Sequence, residues 1–456
     1  MIKRIRHLFL PYKILLTKKS RNILVVLIAC LVLIFGAYTY YYHKTSVDTP
    51  LAKAVYKTDA EKNVYVRFDM EAYDIIKKNY WYKMSDENMA QLFQLSLQKA
   101  GTLDAVPEIV TKDRKGVADM IESVLLQLPN DEARKKLAID TLVVATYNLQ
   151  PNGRSGLLSS KQETELRQTV SNINPTKDLY KDLGVEKGAP AEKVEETYKE
   201  KAVVLEKSTS PEAKAELEKI TYARKVLTND SSKKLYDERQ IEPTVTGKVL
   251  GNTLYLAISK ISPSTLQEFG LLVDNASTTP NLDSMIIDFR GNIGGSLDFL
   301  MYFLGLFIGQ NQYAFDLFHQ DEYQVQRTTL PKYDRLARYK ELAIMIDSMS
   351  QSTAELTTAT FKKFNLAHVV GETTRGWGTV ENTYPITTVI GQDESYSLLL
   401  VNSLTLRDDN TPIEGRGVDP DINIKSTTWK NDLKTVFRNQ SLIKALNVEV
   451  LEPPLR

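Results

Sequence analysis

Two stretches of the sequence set residue types suited to acyl-transfer chemistry where the backbone can expose them. The first is Ile287-Asp-Phe-Arg-Gly-Asn-Ile-Gly-Gly-Ser296. An apolar run ends there in a glycine-rich turn and a helical pattern follows. Such a turn lays backbone N–H groups open, Gly294 and Gly295 foremost, as donors for a developing oxyanion. Turns of this kind also bind phosphates or simply reverse the chain. The second stretch is Ile346-Asp-Ser-Met-Ser-Gln-Ser-Thr-Ala-Glu-Leu356. Ser352 falls where a strand hands over to a helix N-terminus, which suits an exposed nucleophile with donors beside it, Thr353 among them. Serine at that place is also the commonplace helix N-cap, and spacing alone favours that plainer role. The four histidines, His7, His43, His319 and His368, are scattered. None sits at a ligand spacing, which argues against a metal site, and no cofactor is called for. His368 lies in an apolar strand run and reads as a core residue.

The elements that must hold these residues follow from the apolar pattern. After Pro243, short β-rich runs at 253–258, 284–289, 368–371 and 396–401 alternate with helical runs at 264–275, 296–308 and 353–364. That alternation predicts an α/β core with a mostly parallel or mixed sheet, here given the bounds 244–430, with a C-terminal tail at 431–456. Residues 64–173 show apolar spacings of three and four (Phe68, Tyr73, Ile75, Ile76, Tyr80; then Leu92, Leu95, Leu97) and predict a helical N-terminal region. Residues 174–241 are dense in Lys and Glu, with helix starts at Pro190 and Pro211. Val194, Tyr198 and Val203 mark one apolar face, and Leu217, Ile220, Ala223 and Leu227 another. These predict a small all-α module built on an antiparallel helix pair.

A formal net charge of +1 over 456 residues implies no polyanion partner, nucleic acid included. The single cysteine, Cys30, excludes an intrachain disulfide. Residues 23–42 are apolar and end in tyrosines, enough to cross about 30 Å of hydrocarbon. Lysines and arginines crowd residues 1–22. The charge bias predicts a single-pass membrane protein with a cytoplasmic N-terminus and an extracytoplasmic body. A cleaved signal peptide is disfavoured by the missing small-x-small site after Gly36.

The quoted motifs resemble those of the C-terminal processing, or tail-specific, serine peptidases. Asp288-Phe-Arg-Gly-Asn-Ile-Gly-Gly295 looks like their glycine turn and Ser350-Gln-Ser-Thr-Ala-Glu355 like their nucleophile segment. Gly371–Glu381 and Thr411-Pro-Ile-Glu-Gly-Arg-Gly-Val-Asp-Pro-Asp421 look like two further loops, in the family's order. The resemblance implies an α/β peptidase core, a protein or peptide substrate, Ser352 as nucleophile and a base lysine 25 residues on. Trp377 occupies that position, and Glu381 the place of a supporting glutamine. Indole has no basic lone pair, so the resemblance points to a binding protein with impaired catalysis. The alternative is an active peptidase with Glu381 as a displaced base. The floor of a peptide groove is expected at 289–295 and 372–379. The resemblance also suggests a homodimer through the 64–149 helices. The module at 174–241 resembles a J-domain in place of the family's PDZ domain, but Glu206-Lys207-Ser208 stands where a J-domain has His-Pro-Asp. It therefore reads as a spacer or protein-binding module.

Overall fold

A computed structural model describes residues 56–173, 177–208, 210–392 and 394–454. The basic and apolar segments expected at 1–22 and 23–42 lie outside the described residues. Among the described residues no helix is long and apolar enough to cross a membrane. The architecture below is that of the unit Ala60–Arg456.

Helices α1 (Val64–Asn79), α2 (Asp86–Gly101), α3 (Arg114–Leu125) and α4 (Asp131–Asn148) open this unit. Each starts at a polar cap, Asn63, Ser85, Asp113 or Asn130, whose side chain accepts a first-turn amide. Val66, Phe68, Tyr73 and Ile76 bury one stripe of α1, as the sequence spacing predicts. Leu95, assigned to the matching stripe of α2, instead faces out, 47% exposed, while Phe93 and Leu97 point inward. Strand β1 (Gly156–Ser159) interrupts the expected helical region, and α5 (Ser160–Val170) follows it from a capping box of Ser159 and Gln162.

The module comprises α6 (Leu179–Leu183), α7 (Ala191–Leu205), α8 (Pro211–Leu227) and α9 (Asp230–Arg239). Helices α7 and α8 run antiparallel: Glu195 meets Arg224 and Tyr198 meets Thr221. Leu183, Val194, Ile220, Ala223 and Leu227 form its core. Val203 departs from the expected face and is exposed, because Ala202 takes the inward turn of α7. The module's two ends meet at an Ile173–Ile241 bridge. There the Glu242 carboxylate accepts from Lys177 Nζ (2.7 Å) and Tyr222 Oη (2.6 Å).

The core that follows contains β2 (Val245–Leu250), β3 (Thr253–Ile258), α10 (Thr265–Ala276), β4 (Ser284–Asp288), α11 (Asp298–Ile308), β5 (Tyr313–His319) and β6 (Glu322–Arg327). It continues with β7 (Glu341–Ile346), α12 (Thr353–Lys363), β8 (His368–Gly371), β9 (Thr379–Ile386), β10 (Tyr396–Thr405), β11 (Ile422–Asn423), α13 (Trp429–Val436) and α14 (Gln440–Glu449). A six-stranded sheet has the order β11-β8-β7-β4-β3-β2, parallel except for the β2–β3 pair. Its central strands are apolar on both faces because both are covered. Leu254, Leu256, Met285 and Ile287 pack with Phe269 and Phe303 on one side. Tyr255, Ile286 and Met345 pack under Trp429, Leu433 and Leu446 on the other. A second, antiparallel sheet has the order β1-β10-β5-β6, with β9 on β10. Leu398, Leu400 and Ile386 of this sheet share a core with α1 to α4. His368 is not the core residue expected. It begins β8, where Phe437 covers one side of the ring and Asp421 lies 3.9 Å from Nδ1, and its side chain stays 53% exposed.

Candidate active site

Strands β4 and β7 are parallel neighbours, and the two motifs leave their carboxyl ends side by side, the usual place for ligand chemistry in such sheets. Asp347 stitches the turns together. Its Oδ1 accepts the amides of Gly291 (2.9 Å), Met349 (3.0 Å) and Ser350 (2.9 Å). Ser350 Oγ donates to the Phe289 carbonyl at 2.8 Å, and the Gln351 amide to the Asn292 carbonyl at 2.9 Å. Beneath them Arg290 binds Asp288 through two nitrogens while Tyr255 Oη donates to the same carboxylate at 2.6 Å.

Ser352 heads α12 with φ 58° and ψ −125°. For a non-glycine residue that conformation costs of order 1–3 kcal/mol and persists only where its surroundings impose it. The N-cap position expected for serine is therefore real, but the hydroxyl makes no cap bond of good geometry. What holds the turn is Glu355. Its fully buried carboxylate accepts four donors: the amides of Ser352 (2.7 Å), Gly376 (2.6 Å) and Trp377 (2.8 Å), and Thr374 Oγ1 (2.5 Å). Burial raises its pKa, and these four bonds pull the other way.

The oxyanion donors need one correction. Gly294 N is already committed, donating to Asn292 Oδ1 at 2.7 Å. Its role is space: a Cβ there, at φ 85°, would stand 2.6 Å from the Ser352 Cβ. Gly295 pairs with Ile261 as a parallel bridge, and its carbonyl takes Thr353 Oγ1 at 2.8 Å. Among the described residues the amides of Gly295 and Thr353 have no protein acceptor. Both residues line the same cleft as Ser352.

Trp377 is built in rather than merely tolerated. Its amide donates to Glu355, its Nε1 to Glu381 Oε1 at 3.1 Å, and the Arg154 guanidinium stacks 3.3 Å from the ring centroid. Arg154 is itself fixed by Glu414 at 3.1 Å, whose other oxygen takes the Gly378 amide at 2.8 Å. Thr379 Oγ1 also donates to Glu381. Burial pushes the Glu381 carboxyl above its ordinary 4.5, against the lowering pull of Thr379, Trp377 and Arg154. Ser352, Thr353, Gly294, Gly295, Trp377 and Glu381 all line one cleft of about 1000 Å³.

Comparison with known proteins fits this geometry. Residues 252–424 match the model of peptidase family S41. Within that segment lie Ser352, both turns and the Trp377 loop. The chain is 24% identical over 181 residues to a probable CtpA-like serine protease of Staphylococcus saprophyticus, covering 40% of this chain and 35% of the relative. To the carboxy-terminal processing protease CtpB of Bacillus subtilis it is 25% identical over 207 residues, 43% of this chain and 40% of that one. It therefore spans well under half the length of these relatives. Among solved structures, the photosystem II D1 C-terminal processing protease aligns with a TM-score of 0.48 at 12% identity, over 85% of this chain and 98% of that chain. Over residues 252–424 the chain is similar to peptidases of family S41. The 177–241 helices fall outside that segment.

Around the S41 motifs the cleft has walls that the sequence did not reveal. Of the expected floor at 372–379, Trp377 and Thr379 line the cleft while Glu372 turns away to pair with Lys425, and β9 continues the lining through Thr383. Leu166 and Arg167 of α5 form another wall, with Lys260 nearby. Lys260 donates to the Thr169 carbonyl, and burial lowers its pKa. Glu355 was visible only as the last letter of a motif, and Arg154 carried no signal at all. Among the described residues no group of three or more His, Cys, Asp or Glu is gathered as metal ligands.

Proposed function

We propose that the cleft binds extended segments of proteins and that peptide-bond cleavage at Ser352 is impaired. One observation carries this reading: the position where the S41 base lysine is expected holds Trp377, locked by Glu355, Glu381 and Arg154. An S41 serine must lose a proton to attack an amide, and neither an indole nor a permanently charged guanidinium accepts one. The exposed edge of β9 along the cleft suits strand addition by an extended peptide. A second reading rests on Glu381, whose raised pKa and place in the cleft are those of a displaced base. The apolar 23–42 segment and the charge bias before it support a membrane anchor with an extracytoplasmic body, and the 174–241 module then serves as a protein-binding spacer.

The test is to restore the missing group. Trp377→Lys should raise Ser352-dependent hydrolysis of an unstructured protein by at least about tenfold over the parent chain. A variant that stays folded and gains no such activity would count against Trp377 as the cause of impairment.

A further inference from the structure

Three cations line the Ser352 cleft: Arg154, Arg167 and Lys260. Two of them are spent within the protein, Arg154 on Glu414 at 3.1 Å and Arg167 on Glu163 at 2.6 Å. Lys260 has no carboxylate within ion-pair reach among the described residues, and its ammonium donates there only to the Thr169 carbonyl. Glu242, the acid whose field reaches it, is already held by Lys177 and Tyr222. The acids that line the cleft, Asp298 at the head of α11 and Glu381 in β9, do not pair with it either. An ammonium carries three donors, so two remain for a ligand. Lys260 is half-buried, and burial disfavours its charged form, a cost that an anion beside it would offset.

The backbone fixes where this charge stands. Ile261, the next residue, bridges to Gly295 and donates its amide to the Gly294 carbonyl at 2.9 Å, so Lys260 flanks the glycine turn that abuts Ser352. Lys260 and Ile293 also border a side cavity of about 240 Å³, shared with Asn172 and Ser259. The charges native to that cavity cancel, since Asp288 is held by Arg290 and Tyr255. We infer that Lys260 anchors an acidic side chain of the bound segment, so that the cleft selects extended peptides carrying Asp or Glu beside the glycine turn. This inference rests on the peptide-binding reading proposed above. An extended segment that passes through the cleft meets Lys260 with a side chain rather than a chain end, and the side cavity gives that side chain room.

The test uses the full-length chain in detergent and fluorescently labelled, C-terminally amidated peptides of Ala, Val and Thr with one central Glu or, in the control, Gln. The parent should bind the Glu peptide at least about fivefold more tightly than the Gln peptide. That ratio should fall to near one in Lys260→Gln and persist in Lys260→Arg, which separates the charge from damage to the cleft wall. A ratio near one in the parent, or one unchanged by Lys260→Gln, overturns the inference. A third probe, the Gln peptide with a free C-terminal carboxylate, identifies the other source of the same chemistry: a Lys260-dependent gain from it, with none from the Glu peptide, would also overturn the inference. Binding of all three peptides without preference sinks this inference alone, whereas no binding of any peptide sinks the peptide-binding reading with it.

Discussion

Glu355 does more for the site than any residue that faces the cleft. One carboxylate ties the Ser352 amide to the loop that presents Trp377, so Ser352 and Trp377 are held by a single group. Glu355→Ala leaves buried donors without an acceptor, each costing about 1–3 kcal/mol, and should destabilise the chain by at least ~3 kcal/mol. Denaturant unfolding would show it as a lowered midpoint. Glu381 gives a prediction of the opposite sign. Its folded pKa lies above 4.5, so ionisation opposes folding, and this cost grows as pH rises from 4.5 through the folded value. Glu381→Gln can still accept from Trp377 Nε1 and Thr379 Oγ1. It should match the parent's melting temperature at about pH 4 and exceed it at about pH 8. A parent more stable than the variant at the higher pH would show that the site prefers the carboxylate.

At the scale of elements, the helical module is an insertion whose ends meet at the Ile173–Ile241 bridge. Replacing residues 177–240 by a short Gly-Ser linker should therefore leave the two sheets folded, with near-parent far-ultraviolet circular dichroism of the remainder. Lost or aggregated protein would mean that Glu242 and its partners Lys177 and Tyr222 brace the core. The elements readable in advance share one trait. Strands β3, β4 and β8, with α10 to α12, are apolar wherever they are covered, so burial wrote their pattern into the chain. Strand β6 was invisible because its residues meet water and show no alternation. Strand β9 was hidden in the same way, its cleft-facing and solvent-facing residues both largely polar. The oxyanion assignment failed at Gly294 for a different reason: whether a glycine amide is free depends on Asn292, whose side-chain direction no spacing encodes.

At the scale of the molecule, the site is assembled from distant parts of the chain. Arg154 comes from the turn before β1, Ser352 from the end of β7, and Glu414 from the loop after β10. The motif resemblance reaches the segment at 252–424 that matches the S41 model because its motifs are contiguous, and it misses Arg154 because only the fold brings it to Trp377. Arg154 stacks on Trp377 and Glu381 accepts from its indole where the family resemblance expects a base, and the proposed function, a cleft that holds peptide without cutting it, rests on that arrangement. The most direct test is to incubate the full-length chain and its Ser352→Ala variant with an unstructured protein and follow the products by mass spectrometry. The account predicts the same intact substrate from both, with the substrate retained by the folded parent. Fragments made by the parent and absent with Ser352→Ala would contradict it and place the proton acceptor at Glu381 or Lys260.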